Sequence, residues 1–269
     1  SELYQLNHRK LSHVDGRENS YQISQPLADL IATGLSYSEA TQGAFDIAIA
    51  PLTSLWNFTA ENPIPPEYSA IHTALFSCGY QHVNLQDRII TFDSPDIQID
   101  LGAVAKGYIA DRIKEYLVSQ GVESGIINLG GNVLCIGKKP DGTPFKIGIQ
   151  KPFADRNETE AIMDITNKSV VSSGIYERCF QYNGKSYHHI LNPKTGYPYQ
   201  NGLISVTIVC DQSVMGDALS TSCFALGLED GLTYAESLDN VQAVFITDDY
   251  EMHYTKGFQK EIPVTDTKN

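Results

Sequence analysis

The sequence predicts an α+β fold, a mixed sheet with flanking helices. Helix-period and strand-period segments are interspersed without regular βαβ alternation, and the stretch from 125 to 211 is rich in strands. The 269 residues suit one large domain or two intimately joined subdomains, and 42% hydrophobic with 19% charged residues is globular composition.

The elements follow in order. Ser24-Gln25-Pro26 opens a helix in which Leu27, Leu30, Ile31 and Leu35 recur at helical spacing. Pro65-Pro66 opens another, with Ile71, Ala74, Leu75 and Cys78 on one face and Gly79 ending it. Residues 82–85 and 89–92 read as a hairpin, and 97–100 alternate as a strand that enters a glycine-bearing turn. Ile109, Ile113, Tyr116 and Leu117 mark the next helix. Strands are expected at 125–129, 145–149, 170–171 and 204–209, and Asn183-Gly184 is a two-residue hairpin turn. Helices at 215–226 and 230–238 precede a closing strand at 241–247. Residues 62–66 read as a loop rather than a domain boundary.

Composition excludes several functions. Lys plus Arg number 19 against 32 Asp plus Glu, a net charge of −13 that repels nucleic-acid backbones. An anionic ligand must then be met by local cations, a metal or backbone N–H groups. The five cysteines are scattered, and the absence of a CxxC pair argues against zinc. No run of 18 apolar residues is present.

Four segments carry chemistry. Asp100-Leu101-Gly102-Ala103-Val104-Ala105-Lys106-Gly107-Tyr108 runs from a strand through small residues into a helix start, which offers free N–H groups and the Lys106 charge to a phosphate. A plain strand–helix turn is the alternative. Asn128-Leu129-Gly130-Gly131-Asn132 suits a sharp bend whose backbone contacts a ligand, or a hairpin. His188 and His189 are adjacent on a strand, so one of them can face a given site, and the Asn-Pro-Lys-Thr-Gly that follows is a turn. Asp217 and Thr221 are four apart, which puts both oxygens on one helix face and suits Mg²⁺. The alternative is an aspartate that complements a helix dipole.

Together these segments resemble the ApbE-type FAD:protein FMN transferase family. The matching stretches are Gly43-Ala44-Phe45-Asp46 with Pro51-Leu52 and Leu55-Trp56, the Asp100 to Tyr108 segment with Asp111, Asn128 to Gly131, Ser172-Ser173-Gly174 with Tyr176-Glu177-Arg178, the His-His-Ile segment through Tyr197-Pro198, and Asp217 to Thr221. Ser1-Glu2-Leu3 through Asn7 resembles the family's early Ser-x-Leu-x-x-x-Asn stretch. A further strand with a Met-Gly-Thr-like segment normally precedes that point in the family. Asn132 stands where many members carry Asp and is assigned no ligand role.

The resemblance implies an ApbE-like flavin transferase fold and a single domain over 1–269. It implies Mg²⁺ held by Asp217, Thr221 and the Ala103 carbonyl, and FAD met by Ala44, Phe45, Asp46, Trp56, Asp100, Lys106, Gly130, Gly131, Ser173, Gly174 and His189. Phe45 and Trp56 are expected to offer flat surfaces to flavin or adenine, and Asp46 and Asp100 to orient polar groups, with bracing of the metal loop as the alternative for Asp100. Lys106 offsets negative charge and His189 carries the proton, His188 being the weaker candidate. The implied reaction attaches FMN through a phosphoester to a threonine or serine of an acceptor flavoprotein and releases AMP. FAD pyrophosphatase activity and a non-catalytic flavin carrier are the alternatives. No nucleic-acid partner is expected, and the family implies an extracytoplasmic place with a membrane tether outside this segment.

Overall fold

The structure is a computed structural model that describes residues 1–8, 13–14, 17–155 and 158–266. Its elements in chain order are α1 (Glu2–Asn7), β1 (His13–Val14), β2 (Arg17–Glu18), β3 (Ser20–Gln22), α2 (Gln25–Ala40), α3 (Ala50–Trp56), α4 (Tyr68–Leu75), β4 (Val83–Gln86), β5 (Ile89–Phe92) and α5 (Ala105–Ser119). There follow β6 (Ser124–Leu129), β7 (Asn132–Gly137), β8 (Phe145–Gln150), β9 (Thr159–Ile165), β10 (Ser169–Gly174), β11 (Cys179–Tyr182), β12 (Lys185–His188) and β13 (Leu203–Cys210). The last are α6 (Ser213–Leu226), α7 (Leu228–Glu236), β14 (Gln242–Thr247), β15 (Met252–Tyr254), α8 (Phe258–Glu261) and β16 (Val264–Asp266). The chain forms two compact units, residues 1–102 with 178–199 as unit 1, and 103–177 with 200–269 as unit 2.

Unit 1 holds α1–α4, the antiparallel sheet β3-β5-β4 and the β11–β12 hairpin. Ser24 caps α2 by accepting the Leu27 amide, with proline in the first turn where no N–H is needed. Its core gathers Leu52, Trp56, Ile71, Cys78 and Leu191. Trp56 is 1% exposed, donates Nε1–H to the Gly196 carbonyl at 2.7 Å and lies parallel to Phe58 with ring centroids 5.6 Å apart. The turn that presents this carbonyl needs a glycine. Gly196 has φ +74°, and a Cβ there would come within 2.4 Å of Ile71.

Unit 2 is layered. Its six-stranded antiparallel sheet has the order β15-β14-β13-β10-β7-β6. The second sheet, β16-β9-β8, contributes Phe145, Ile147, Ile149, Met163 and Ile165 to a core shared with Val170, Val209, Val244 and Ile246 of the large sheet. Alternate residues of the large sheet point the other way, toward the helices. A Cβ at Gly216 of α6 would meet Val171, and one at Gly231 of α7 would meet Phe245. The central strand β13 is buried at all eight positions, as a strand covered on both faces must be.

The sequence reading differs from the structure at several places, and it names no helix at 50–56 and no strand at 132–137 or 159–165, where α3, β7 and β9 form. Residues 97–100 form no strand. Ile99 pairs with the Asn7 side chain, its N–H donating to Oδ1 at 3.0 Å and its carbonyl accepting Nδ2–H at 2.8 Å, so a side chain takes the place of a neighbouring strand. The helix after Pro65-Pro66 starts at Tyr68, because prolines hold the preceding backbone extended. In α5 Gly107 and Ala110 are buried and Ile113 and Leu117 pack against Ile127, Leu134 and Ile136 as their spacing predicts, while Ile109 and Tyr116 are exposed. The strand ending at Thr247 does not close the fold. β15 extends the large sheet and β16 pairs with β9.

Candidate functional site

The expected site residues fall into two sets. Ala44, Phe45, Asp46, Trp56, Asp100 and His189 belong to unit 1, and Ala103, Lys106, Gly130, Gly131, Ser173, Gly174, Asp217 and Thr221 to unit 2.

In unit 2 the site is built on the crossing of α5 and α6. The helices touch at Gly107, where a Cβ would lie 2.2 Å from the Ser213 carbonyl oxygen. Only a residue without a side chain allows this approach. The Gly107 N–H, one of the first-turn amides that a helix leaves without a backbone partner, donates to Asp217 Oδ2 at 2.8 Å. Ala103, two residues before α5, is half-buried.

Asp217 is 4% exposed. Burial, the largest influence, pushes its carboxyl up from the usual aspartate value, while the Gly107 amide and the Lys106 charge pull the other way. Lys106 stands in the first turn of α5. One turn along α6, Thr221 Oγ1 lies 3.1 Å from Ser173 Oγ, which is also 2.8 Å from Ser220 Oγ. The Ser220 hydroxyl donates to the Asp217 carbonyl at 3.0 Å, which is what binds this hydroxyl group to the turn that carries the aspartate.

This donor set fits a hard divalent cation. It offers a buried carboxylate, a hydroxyl one helical turn away and the backbone carbonyl of Ala103 just before α5, all oxygen.

Sequence reasoning gave no role to the polar groups that support this crossing. Asp111 of α5 accepts the Ser213 and Val214 amides at 2.8 and 2.9 Å. Asn132, fully buried, accepts the Ser213 hydroxyl on Oδ1 at 2.6 Å, and Ser213 in turn accepts the Ser169 hydroxyl at 2.9 Å. Its Nδ2 makes no hydrogen bond of normal geometry, yet it lies near enough to Asp217 to favour the ionised form. Polar residues at the starts of β7 and α6 were the available signal.

Gly130 and Gly131 make the two-residue β6–β7 hairpin turn, with φ +64° and +95° and open space on the side a Cβ would take. Both are exposed. Gly174 ends β10, packed against the Tyr176 ring.

In unit 1 the expected residues are largely committed to the fold. Asp46 Oδ1 accepts the Ala48 amide at 2.7 Å and Oδ2 accepts the Tyr80 amide at 2.9 Å. Burial raises its pKa, and these two amides oppose the rise. Asp100 accepts the Gly102 amide and the Thr53 hydroxyl, both at 2.8 Å, so it braces the loop that leads to Ala103. The Ala44 carbonyl accepts the Tyr199 hydroxyl at 2.8 Å.

Phe45 and Trp56 do not offer stacking faces. Their side chains are 4% and 1% exposed because both fill the core of unit 1. Of the paired histidines, His188 is buried at the end of β12 and donates Nε2–H to the Tyr199 carbonyl at 2.8 Å. Burial holds its pKa below the ordinary histidine value. His189 lies just past β12, half-buried, its amide bonded to the Arg178 carbonyl at 3.1 Å.

These features define an α+β chain with an oxygen-lined helix crossing, and comparison with known proteins places it. The model described as the ApbE family matches residues 1–245. A Klebsiella pneumoniae protein named FAD:protein FMN transferase is 38% identical over 239 residues, covering 88% of this chain and 73% of that protein. A Treponema pallidum protein of the same name is 30% identical, covering 91% and 72%. Among solved structures, the ApbE protein of Thermotoga maritima superposes with TM-score 0.85 at 30% identity, covering 97% of this chain and 83% of that one. The flavin transferase ApbE from Vibrio cholerae gives TM-score 0.84 at 27% identity, covering 97% and 82%. The chain belongs to the ApbE family.

Proposed function

We propose that this chain is a Mg²⁺-dependent FAD:protein FMN transferase. A threonine or serine hydroxyl of an acceptor flavoprotein attacks the phosphorus on the riboflavin side of FAD. The new bond is a phosphoester to FMN, the pyrophosphate P–O bond breaks, and AMP leaves. The relatives that carry this name support the reaction. The observation that supports the metal is the Asp217 carboxylate, buried one helical turn before the Thr221 hydroxyl and tied to the start of α5 through the Gly107 amide, with the Ala103 carbonyl two residues before that start.

Asp217, Thr221 and the Ala103 carbonyl would hold Mg²⁺, whose charge would offset that of the pyrophosphate. Lys106 adds a positive charge at the α5 start, which matters on a chain of net charge −13. Ser173 stands beside Thr221 and is placed to orient its hydroxyl. Gly130, Gly131 and Gly174 present backbone to FAD, as do Ala44 and Phe45, while Asp46 and Asp100 act by fixing their loops. His189 takes the acceptor's proton. His188 is the weaker candidate, buried with its Nε2–H given to the Tyr199 carbonyl. The reaction is assigned to the outside of the cytoplasm on the resemblance alone.

The test is AMP release from FAD and Mg²⁺ with and without an acceptor flavoprotein. Release that requires the acceptor, together with an acceptor heavier by one FMN moiety, is the expected result. Release without the acceptor, at the same rate, makes the chain a FAD pyrophosphatase, and no release makes it a carrier.

A further inference from the structure

Neither α5 nor α6 starts with a side-chain cap of its own, since Val104 and Gln212 supply none. The two helices cap each other instead. Asp217 of α6 accepts an amide in the first turn of α5, that of Gly107. Asp111 of α5 accepts two in the first turn of α6, Ser213 N–H on Oδ1 at 2.8 Å and Val214 N–H on Oδ2 at 2.9 Å. The exchange depends on the close approach at Gly107.

We infer that Asp111 is a positioning residue for the divalent-cation site, holding α6 in register with α5 so that Asp217 and the Ala103 carbonyl keep their separation. The inference rests on the metal reading above. Ser213 lies one helical turn before Asp217, and Ala103 lies two residues before α5. The register between the two helices therefore sets the distance between the donors. A cation that draws on the Asp217 carboxylate competes with the Gly107 amide for the same oxygens. The Asp111 half of the exchange involves no proposed ligand, so it keeps the helices together whether or not the site is loaded. Orienting groups behind metal ligands typically change affinity ~10–100-fold when removed.

The experiment is a Mn²⁺ titration, read by loss of the free-ion electron paramagnetic resonance signal, on the full chain and on Asp111→Asn, Asp111→Ala and Thr255→Val. Thr255 is a buried hydroxyl that accepts the Ala243 amide and donates to Gln242, serving β14 and neither helix. It reports what a loss of stability alone does. The dissociation constant for Mn²⁺ should rise about tenfold in Asp111→Asn, which keeps one acceptor oxygen, and further in Asp111→Ala. Thr255→Val should bind as the parent does, even where its melting temperature falls as far. Saturating metal should restore turnover in Asp111→Asn, so that the KM for metal moves and kcat does not. If Asp111→Ala fails to fold, the Asn variant decides. Folded Asp111→Asn binding Mn²⁺ as tightly as the parent, or no more weakly than Thr255→Val, overturns the positioning role. A parent chain that binds no Mn²⁺ overturns the metal reading and the positioning role with it.

Discussion

Asp46 in unit 1 and Asp217 in unit 2 are both buried, and burial raises the pKa of both. Their surroundings differ. Asp46 has a backbone amide on each oxygen, from Ala48 and Tyr80, which makes it a clasp between two loop segments. Asp217 receives the Gly107 amide on Oδ2, has the Lys106 amide and the Asn132 side chain close by, and sits in a helix turn whose neighbours are hydroxyls. A buried carboxylate whose two oxygens each hold an amide of a different loop segment is a fastening, whatever lone pairs it has left. One that stands among other oxygens is equipped for a cation.

Substitutions can break that contrast. Asp217→Ala should give the largest effect, loss of Mg²⁺-dependent turnover with the fold retained, because the proposed site has no other carboxylate. Full rate at limiting Mg²⁺ in that variant would remove Asp217 as a ligand. Next comes His189→Asn, with a rate expected to fall ~10²–10⁴-fold as for loss of a general acid–base group. His188→Asn should cost far less in rate and more in melting temperature, since its ring holds the Tyr199 carbonyl. Equal small losses from the two would leave the metal and its ligands as the whole of the chemistry.

Asp46→Ala should act on stability rather than metal affinity. It strands two amides, which predicts about 1–3 kcal/mol of destabilisation per buried unsatisfied group, measured by urea unfolding. A smaller effect is expected in the pH dependence of stability. The folded pKa of His188 is depressed, so its contribution is present above its ordinary value of 6.5 and is lost as pH falls through the lowered value. The gap in melting temperature between the parent and His188→Asn should therefore narrow as pH falls from 6.5 toward that value and stay level below it. The folded pKa of Asp46 is raised, and its sign is opposite: its contribution is full below 3.8 and is lost as pH rises through the raised value.

The contrast also shows what was legible in the sequence. Asp217 and Thr221 could be paired because helix spacing is local, and α6 covers both. Asn183-Gly184 gave the β11–β12 hairpin for the same reason, with both residues at positive φ. What sequence could not show was long-range. The Gly107 amide meets Asp217 across 110 positions, and Asn7 meets Ile99 across 92. Hydrophobic period found the Ile113 and Leu117 contacts of α5 but missed its closest one, which Gly107 makes against α6. Aromatic residues within a functional motif invited a ligand role for Phe45 and Trp56, whose packing makes them core.

The most direct test of the contrast is a calorimetric titration of Mg²⁺ into the parent chain, Asp217→Asn and Asp46→Asn, each checked for folding by circular dichroism. The account predicts binding by the parent, little or none by Asp217→Asn, and parental affinity in Asp46→Asn despite its lower melting temperature. Parental affinity in Asp217→Asn, or equal losses in both variants at equal stability, would contradict it.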